Sequence, residues 1–166
     1  LRIRQMIKVA TAPTVAGDAT VSLPSDFVAM KDLHLQGNPP QTIKFLSTSN
    51  FFRNARTAQS GLPSRYTLLG AEFQFAPIPD SVYTLQMVYF YQPEYLSDTN
   101  SSNLWLAETP DLLLYAALGE AEPYLMNDER LNTWASMYDR GVTALRKSDD
   151  ESEYPAQPLT ITNSTR

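Results

Sequence analysis

Residues 109–147, TPDLLLYAALGEAEPYLMNDERLNTWASMYDRGVTALRK, read as two helices joined by a short corner, and the rest of the chain is arranged around them. Thr109 offers a capping hydroxyl, and Pro110 at the first helical position lacks an N–H that would otherwise need a partner. Asp111 follows where the helix dipole favours an anion. From Leu112 to Leu118 the side chains are apolar around nearly the whole circumference, so this helix is expected to be buried on most sides. Pro123 should bend or end it. Asn127 or Asp128 can cap a second helix, which carries Leu131, Trp134, Tyr138, Val142 and Leu145 on one stripe. Trp105, Leu131, Trp134 and Tyr138 are the expected core anchors of this region.

The preceding sequence has the period of strands. Ile3, Ile7 and Val9 alternate, and a Gly17-Asp18 turn leads into residues 19–23, which predicts an antiparallel pair. Residues 31–35 alternate again, 41–46 allow a short strand, and Ser47 or Thr48 can cap a brief helix bearing Phe51 and Phe52. Tyr66 and Leu68, then Phe73 and Phe75 across Gly70-Ala71, form a hairpin pattern. Val82 to Tyr91 is partly apolar on both faces, as expected of a central strand or of one that meets another chain. The expected fold is α+β: a mainly antiparallel sheet or small barrel of about six strands, then the C-terminal two-helix hairpin and an extended tail. One domain is expected over residues 1–150, divided into a β-rich part (1–107) and the helical hairpin (108–150), with an extended arm over 151–166. The chain opens at Leu1 instead of Met, so a preceding segment is expected.

Composition removes several functions. With 166 residues, 43% of them hydrophobic, the chain can build one substantial core. It has no cysteine, which excludes disulfides, thiolate zinc sites and cysteine nucleophiles. No apolar run approaches a membrane span. His34 is the single histidine, so no Ser-His-Asp constellation can be built. The acidic run Asp149-Asp150-Glu151-Ser152-Glu153 lacks the central glycine and alternation of a calcium loop. Neither a Walker loop nor a GxGxxG is present. Glu120 and Glu122 lie two apart on a helix and point in different directions, unlike a glycosidase pair. No enzyme, metal or cofactor is therefore expected.

Charge is unevenly placed. Residues 1–107 carry eight basic and seven acidic side chains, whereas residues 108–153 carry four basic and eleven acidic. An acidic helical region repels phosphate, which argues against a DNA-gripping module. Residues 154–166, YPAQPLTITNSTR, have the composition of a disordered tail, and Leu159-Thr160-Ile161-Thr162 has strand-like alternation.

Several ordered stretches together resemble the head-to-tail adaptor proteins of tailed bacteriophages. They are LRIRQM (1–6), LPSDF (23–27), GLPSRY (61–66), FAPIPD (75–80), Tyr83 to Tyr91, LSDT (96–99), NLWL (103–106), and Pro110 to Leu118 with Trp134. The resemblance implies a structural, non-enzymatic virion protein of the phage neck, present in the host cytoplasm during assembly. It would form a homo-oligomeric ring, a dodecamer matching the portal protein, and join the portal to a tail nozzle or tail tube. Viral DNA would pass through during packaging and ejection without sequence-specific binding. On that reading Glu120, Glu122, Asp128, Glu129 and Asp139 are channel-lining candidates. Tyr154, Pro155, Leu159 and Ile161 are candidates for an assembly arm lying on a neighbouring subunit, the portal or the next tail protein, with folding back on its own domain as the alternative. The rival functions are a carbohydrate-binding β-domain of a tail fibre or collar, and another neck component such as a stopper or nozzle.

Overall fold

The computed structural model describes residues 2–54, 59–125 and 130–153. They fall into two compact units, a β-rich one over residues 6–92 and a helical one from residue 93 onward that also takes in residues 3–5.

The β-rich unit holds β1 (Ile7–Pro13), β2 (Thr20–Ser22), β3 (Phe27–Leu35), β4 (Gln41–Thr42), β5 (Lys44–Phe45), β6 (Arg65–Leu69), β7 (Glu72–Ala76) and β8 (Thr84–Tyr91), with α1 (Thr48–Asn54) between β5 and β6. The strands make two four-stranded sheets, in the orders β1-β8-β3-β4 and β2-β7-β6-β5. Together with the helices this is the expected α+β class, but as two open sheets and not a closed barrel. Residues 41–46, read as one short strand, are two strands of two residues each, β4 and β5, in different sheets.

The Tyr66–Phe75 hairpin forms as read, with β6 antiparallel to β7 and Gly70 in the turn at φ +60°. The expected pair between residues 3–11 and 19–23 does not form. Instead β1 pairs with β8 along its full length, and β2 pairs with β7 in the other sheet. Between them Thr14 donates its N–H to the Tyr83 carbonyl and Gly17 (φ +81°) donates to that of Pro79, so the chain changes sheet where a hairpin was expected. β5 pairs with β6 in parallel.

β8 is central, bonded to β1 on one side and β3 on the other. Its alternation puts Leu85, Met87 and Tyr89 inside, at 2% exposure or less. They meet Tyr66, Phe73 and Phe75 from the other sheet, with Leu33, Leu35 and Ile43, in one core. Phe73 touches Phe27, Tyr66 and Phe75 with ring centroids 5.8–6.1 Å apart. Two of the three Phe73 contacts, with Phe27 and Tyr66, are the edge arrangements that aromatic quadrupoles favour, and the third is tilted.

A polar device closes one end of this core. Asp26, from the LPSDF stretch, accepts from Lys8 Nζ at 2.6 Å and from the Tyr89 hydroxyl at 2.8 Å. Burial alone would raise the Asp26 carboxyl, but the bonds from Lys8 and Tyr89 outweigh it and hold the group below its ordinary value. Burial and the bond to Asp26 push the Tyr89 phenol up to about 12. A raised phenol contributes stability that is fully present below its unfolded value of about 10 and is lost as pH rises toward 12. The lowered carboxyl contributes stability above about 4 that is lost as pH falls through its folded value. Tyr89→Phe is therefore expected to destabilise the chain at pH 7 by about 1.5–3 kcal/mol, the range for a hydrogen bond to a charged group. It should also flatten the fall in stability between pH 10 and 12, as read from urea midpoints. An unchanged alkaline slope would mean that the Tyr89–Asp26 bond does not set it.

The helical unit holds α2 (Leu104–Glu108), α3 (Pro110–Leu125) and α4 (Leu131–Glu153). The segment before α2 is more ordered than its polar composition predicts. Asn103 caps α2 by accepting from Leu106 N–H at 2.9 Å, and its own amide donates to the Glu94 carbonyl. Thr109 does not cap α3 with its side chain; its hydroxyl donates back to the Trp105 carbonyl, and its backbone carbonyl accepts from Leu112. Pro123 lies inside α3 near its end and does not stop it. The residues expected to cap α4, Asn127 and Asp128, lie outside the described residues.

Candidate interaction surface

α3 and α4 pack side by side, with Leu112 of α3 over Gly141 of α4. A Cβ built on Gly141 would fall 2.6 Å from Leu112 Cδ2, so the bare backbone of α4 is what admits the α3 leucine. Nearer the other end of the pair, Trp134 stacks on Tyr115 (centroids 6.2 Å apart, planes at 18°) and donates its indole N–H to Glu122 Oε1 at 2.9 Å. Glu122 is only 6% exposed, and its second oxygen has no hydrogen-bond partner.

The sequence candidates are placed as follows. Glu120 and Asp139 are exposed. Glu122 is turned into the helix pair, where it accepts from the Trp134 indole. Asp128 and Glu129 lie outside the described residues, as do the arm candidates Tyr154, Pro155, Leu159 and Ile161. Trp105, Leu131 and Trp134 are half-buried, and Tyr138 is 40% exposed.

The expectation that α3 is buried on most sides is not met among the described residues. Leu114 is 54% exposed and Tyr124 88%, and Glu122 is its one buried side chain among the described residues. A single partner helix covers one stripe, and α3 is apolar well beyond one stripe. The uncovered part opens as a groove. Trp105, Leu112, Tyr138 and Val142 help enclose about 210 Å³, and Ala116 and Tyr138 continue it into a second stretch of about 350 Å³ lined by Leu131 and Ala135.

Residues 3–5 brace the helices in a way the sequence did not announce. Ile3 is fully buried, Arg4 N–H donates to Asp149 Oδ1 at 2.7 Å, and the Gln5 amide donates to Glu108 Oε2 at 3.2 Å. The LRIRQM stretch thus fastens the end of α2 to the last turns of α4. Its signal was weak because a buried isoleucine between exposed arginines looks like a strand.

The β-rich unit has its own unpartnered surface. β1 is the edge of its sheet, and Val9, 55% exposed, sits beside Val88 on the face away from the core. Phe45 and Phe52 are each 56% exposed. His34 bonds Gln86 at 3.2 Å and pairs with Asp32 at 3.4 Å on that same sheet, a structural arrangement. Among the described residues no group of three or more acidic or histidine side chains could hold a metal, and no helix is long and apolar enough to cross a membrane.

Among the described residues, large apolar side chains thus stand exposed on both units. The family model for the SU10 adaptor protein matches residues 1–161, nearly the whole chain. The chain belongs to the SU10 adaptor family. This is a family of phage head-to-tail adaptors, so the protein has a structural role at the head–tail junction and its place is the virion neck. No curated protein matches the chain. The stretches that carried the resemblance have physical roles in this adaptor. LRIRQM braces α2 and α4, Asp26 of LPSDF joins β1 to β8, and Asn103 of NLWL caps α2. In GLPSRY, Pro63 and Tyr66 are buried.

Proposed function

We propose that this adaptor assembles as a ring, a dodecamer matched to the portal, which docks on the portal and joins it to the tail nozzle or tube. The observation that carries the reading is the family match over residues 1–161. Two physical features support it. Apolar side chains stand exposed on both units, and a closed ring needs two adhesive faces per subunit. The helical region is strongly acidic, with four basic against eleven acidic side chains over residues 108–153, which suits a wall that DNA slides past without gripping. The discriminating experiment is sedimentation of the purified chain with assembled portal. A discrete heavier complex with one chain per portal subunit is expected; co-existing free species at all ratios would contradict docking.

Within that reading, Glu120 and Asp139 are the channel-facing carboxylates among the described residues. Reversing both to lysine is expected to slow DNA ejection by about twofold or more at low ionic strength, and the difference should shrink as salt screens it. Ejection rates that are unchanged at low salt would place these side chains away from the DNA path.

A further inference from the structure

β1 is the longest strand that bounds either sheet: β2, β4 and β5, at the other edges, have three, two and two residues against its seven. A short edge is protected by its length, and a longer one by charged side chains or prolines. In β1 the single charge, Lys8, is turned to Asp26, and Pro13 stands at the last position. We propose that β1 pairs antiparallel with β1 of a second copy, so that the two β1-β8-β3-β4 sheets of a dimer run on as one.

The backbone says which groups are available. Thr14, one step past the strand, donates its N–H to the Tyr83 carbonyl and so continues the register that sets Pro13 opposite Thr84. Antiparallel pairs alternate, which gives Lys8, Ala10 and Ala12 the bonds to β8 and turns the N–H and C=O of Ile7, Val9 and Thr11 away from it. Among the described residues nothing bonds those outward groups. Pro13 falls on the outward side, where its missing N–H leaves the β8 ladder intact.

A second copy brings the same row of donors and acceptors, so the edge is its own complement. Centred on Ala10, the pair overlaps the whole strand. Val9, 55% exposed, then lies opposite Thr11 of the second copy, and Lys8 opposite Ala12, so two β-branched side chains meet on the outer face and no like charges are opposed. Ile7 donates to the carbonyl of the opposing Pro13. The open stretch of β3 is a poorer match for β1, because irregularities between Phe27 and Ala29 and between Met30 and Asp32 break its register. A two-fold pair closes at two copies, so the dimer is a state of the free chain, whether or not that chain goes on to build a ring on the portal.

The test uses the full chain without portal, and its outcome leaves the ring reading untouched. Sedimentation velocity is expected to show a dimer. Thr11→Pro removes one outward N–H from each copy but no bond to β8, so it should weaken the dimer at least about tenfold while circular dichroism shows a retained fold. Because the chain has no cysteine, the register is read separately. Val9→Cys mixed with Thr11→Cys should form the mixed disulfide at least about fivefold faster than either variant alone links to itself. A free chain that is monomeric at every concentration, a folded Thr11→Pro variant that dimerises as before, or equal rates of mixed and self disulfides would each overturn the pairing. Should Thr11→Pro fail to fold, the disulfide rates decide alone.

Discussion

Phe73→Ala is expected to destabilise the β-rich unit by about 3–5 kcal/mol, the range for a fully buried aromatic truncated to alanine. Phe73 has no exposed surface, sits on β7 between Val21 of β2 and Leu68 of β6, and its ring touches Phe27, Tyr66 and Phe75. Removing it takes away the aromatic contact that ties Phe27, at the start of β3, to β7 of the opposite sheet. The surrounding rings are held by their own neighbours and cannot collapse into the space, so the cavity term adds to the lost transfer free energy. Equilibrium unfolding by urea, followed by far-ultraviolet circular dichroism, measures the loss. A change below about 1 kcal/mol would mean that the two sheets do not share this core.

Trp134→Ala is expected to cost about 2–4 kcal/mol, for a different reason. The stripe of Leu131, Trp134 and Tyr138 predicts a buried tryptophan whose loss leaves a cavity, but Trp134 is half-buried and its area alone accounts for only part of the effect. The rest comes from Glu122, which is left in a 6% exposed position with neither oxygen bonded once the indole N–H is gone. An unsatisfied buried group costs about 1–3 kcal/mol, and more when charged. Trp134→Phe keeps an aromatic ring for Tyr115 but removes the donor, so it should retain most of the penalty. Adding Glu122→Leu to Trp134→Phe should recover at least about 1 kcal/mol. Both tryptophans, Trp105 and Trp134, belong to the helical unit, so Trp105 fluorescence still reports on that unit in the Trp134 variants. If the double variant is no more stable than Trp134→Phe, the indole–carboxylate bond contributes nothing.

What was legible in the sequence was local. The Tyr66–Phe75 hairpin, the alternation of β8 and the two long helices each follow from side chains a few residues apart, where the period of the backbone sorts inside from outside. The partner of β1 was not legible. Its alternation suits either sheet, and the choice of β8 over β2 is made by residues more than seventy positions away. The apolar circumference of α3 predicts burial on most sides, yet among the described residues it packs along one long helix and leaves Leu114 and Tyr124 exposed. Glu122 illustrates the opposite failure. In sequence it is one acidic residue among several, and only the approach of Trp134 from α4 distinguishes it from Glu120, two residues earlier and exposed.

Family membership places this adaptor at the head–tail junction, and the central proposal is that it does so as a ring on the portal. Negative-stain imaging of the purified chain mixed with portal tests this most directly. The account predicts rings coaxial with the portal that extend its channel by one further layer. Portal particles without an added layer, together with a chain that stays monomeric or trimeric and binds glycans, would contradict it.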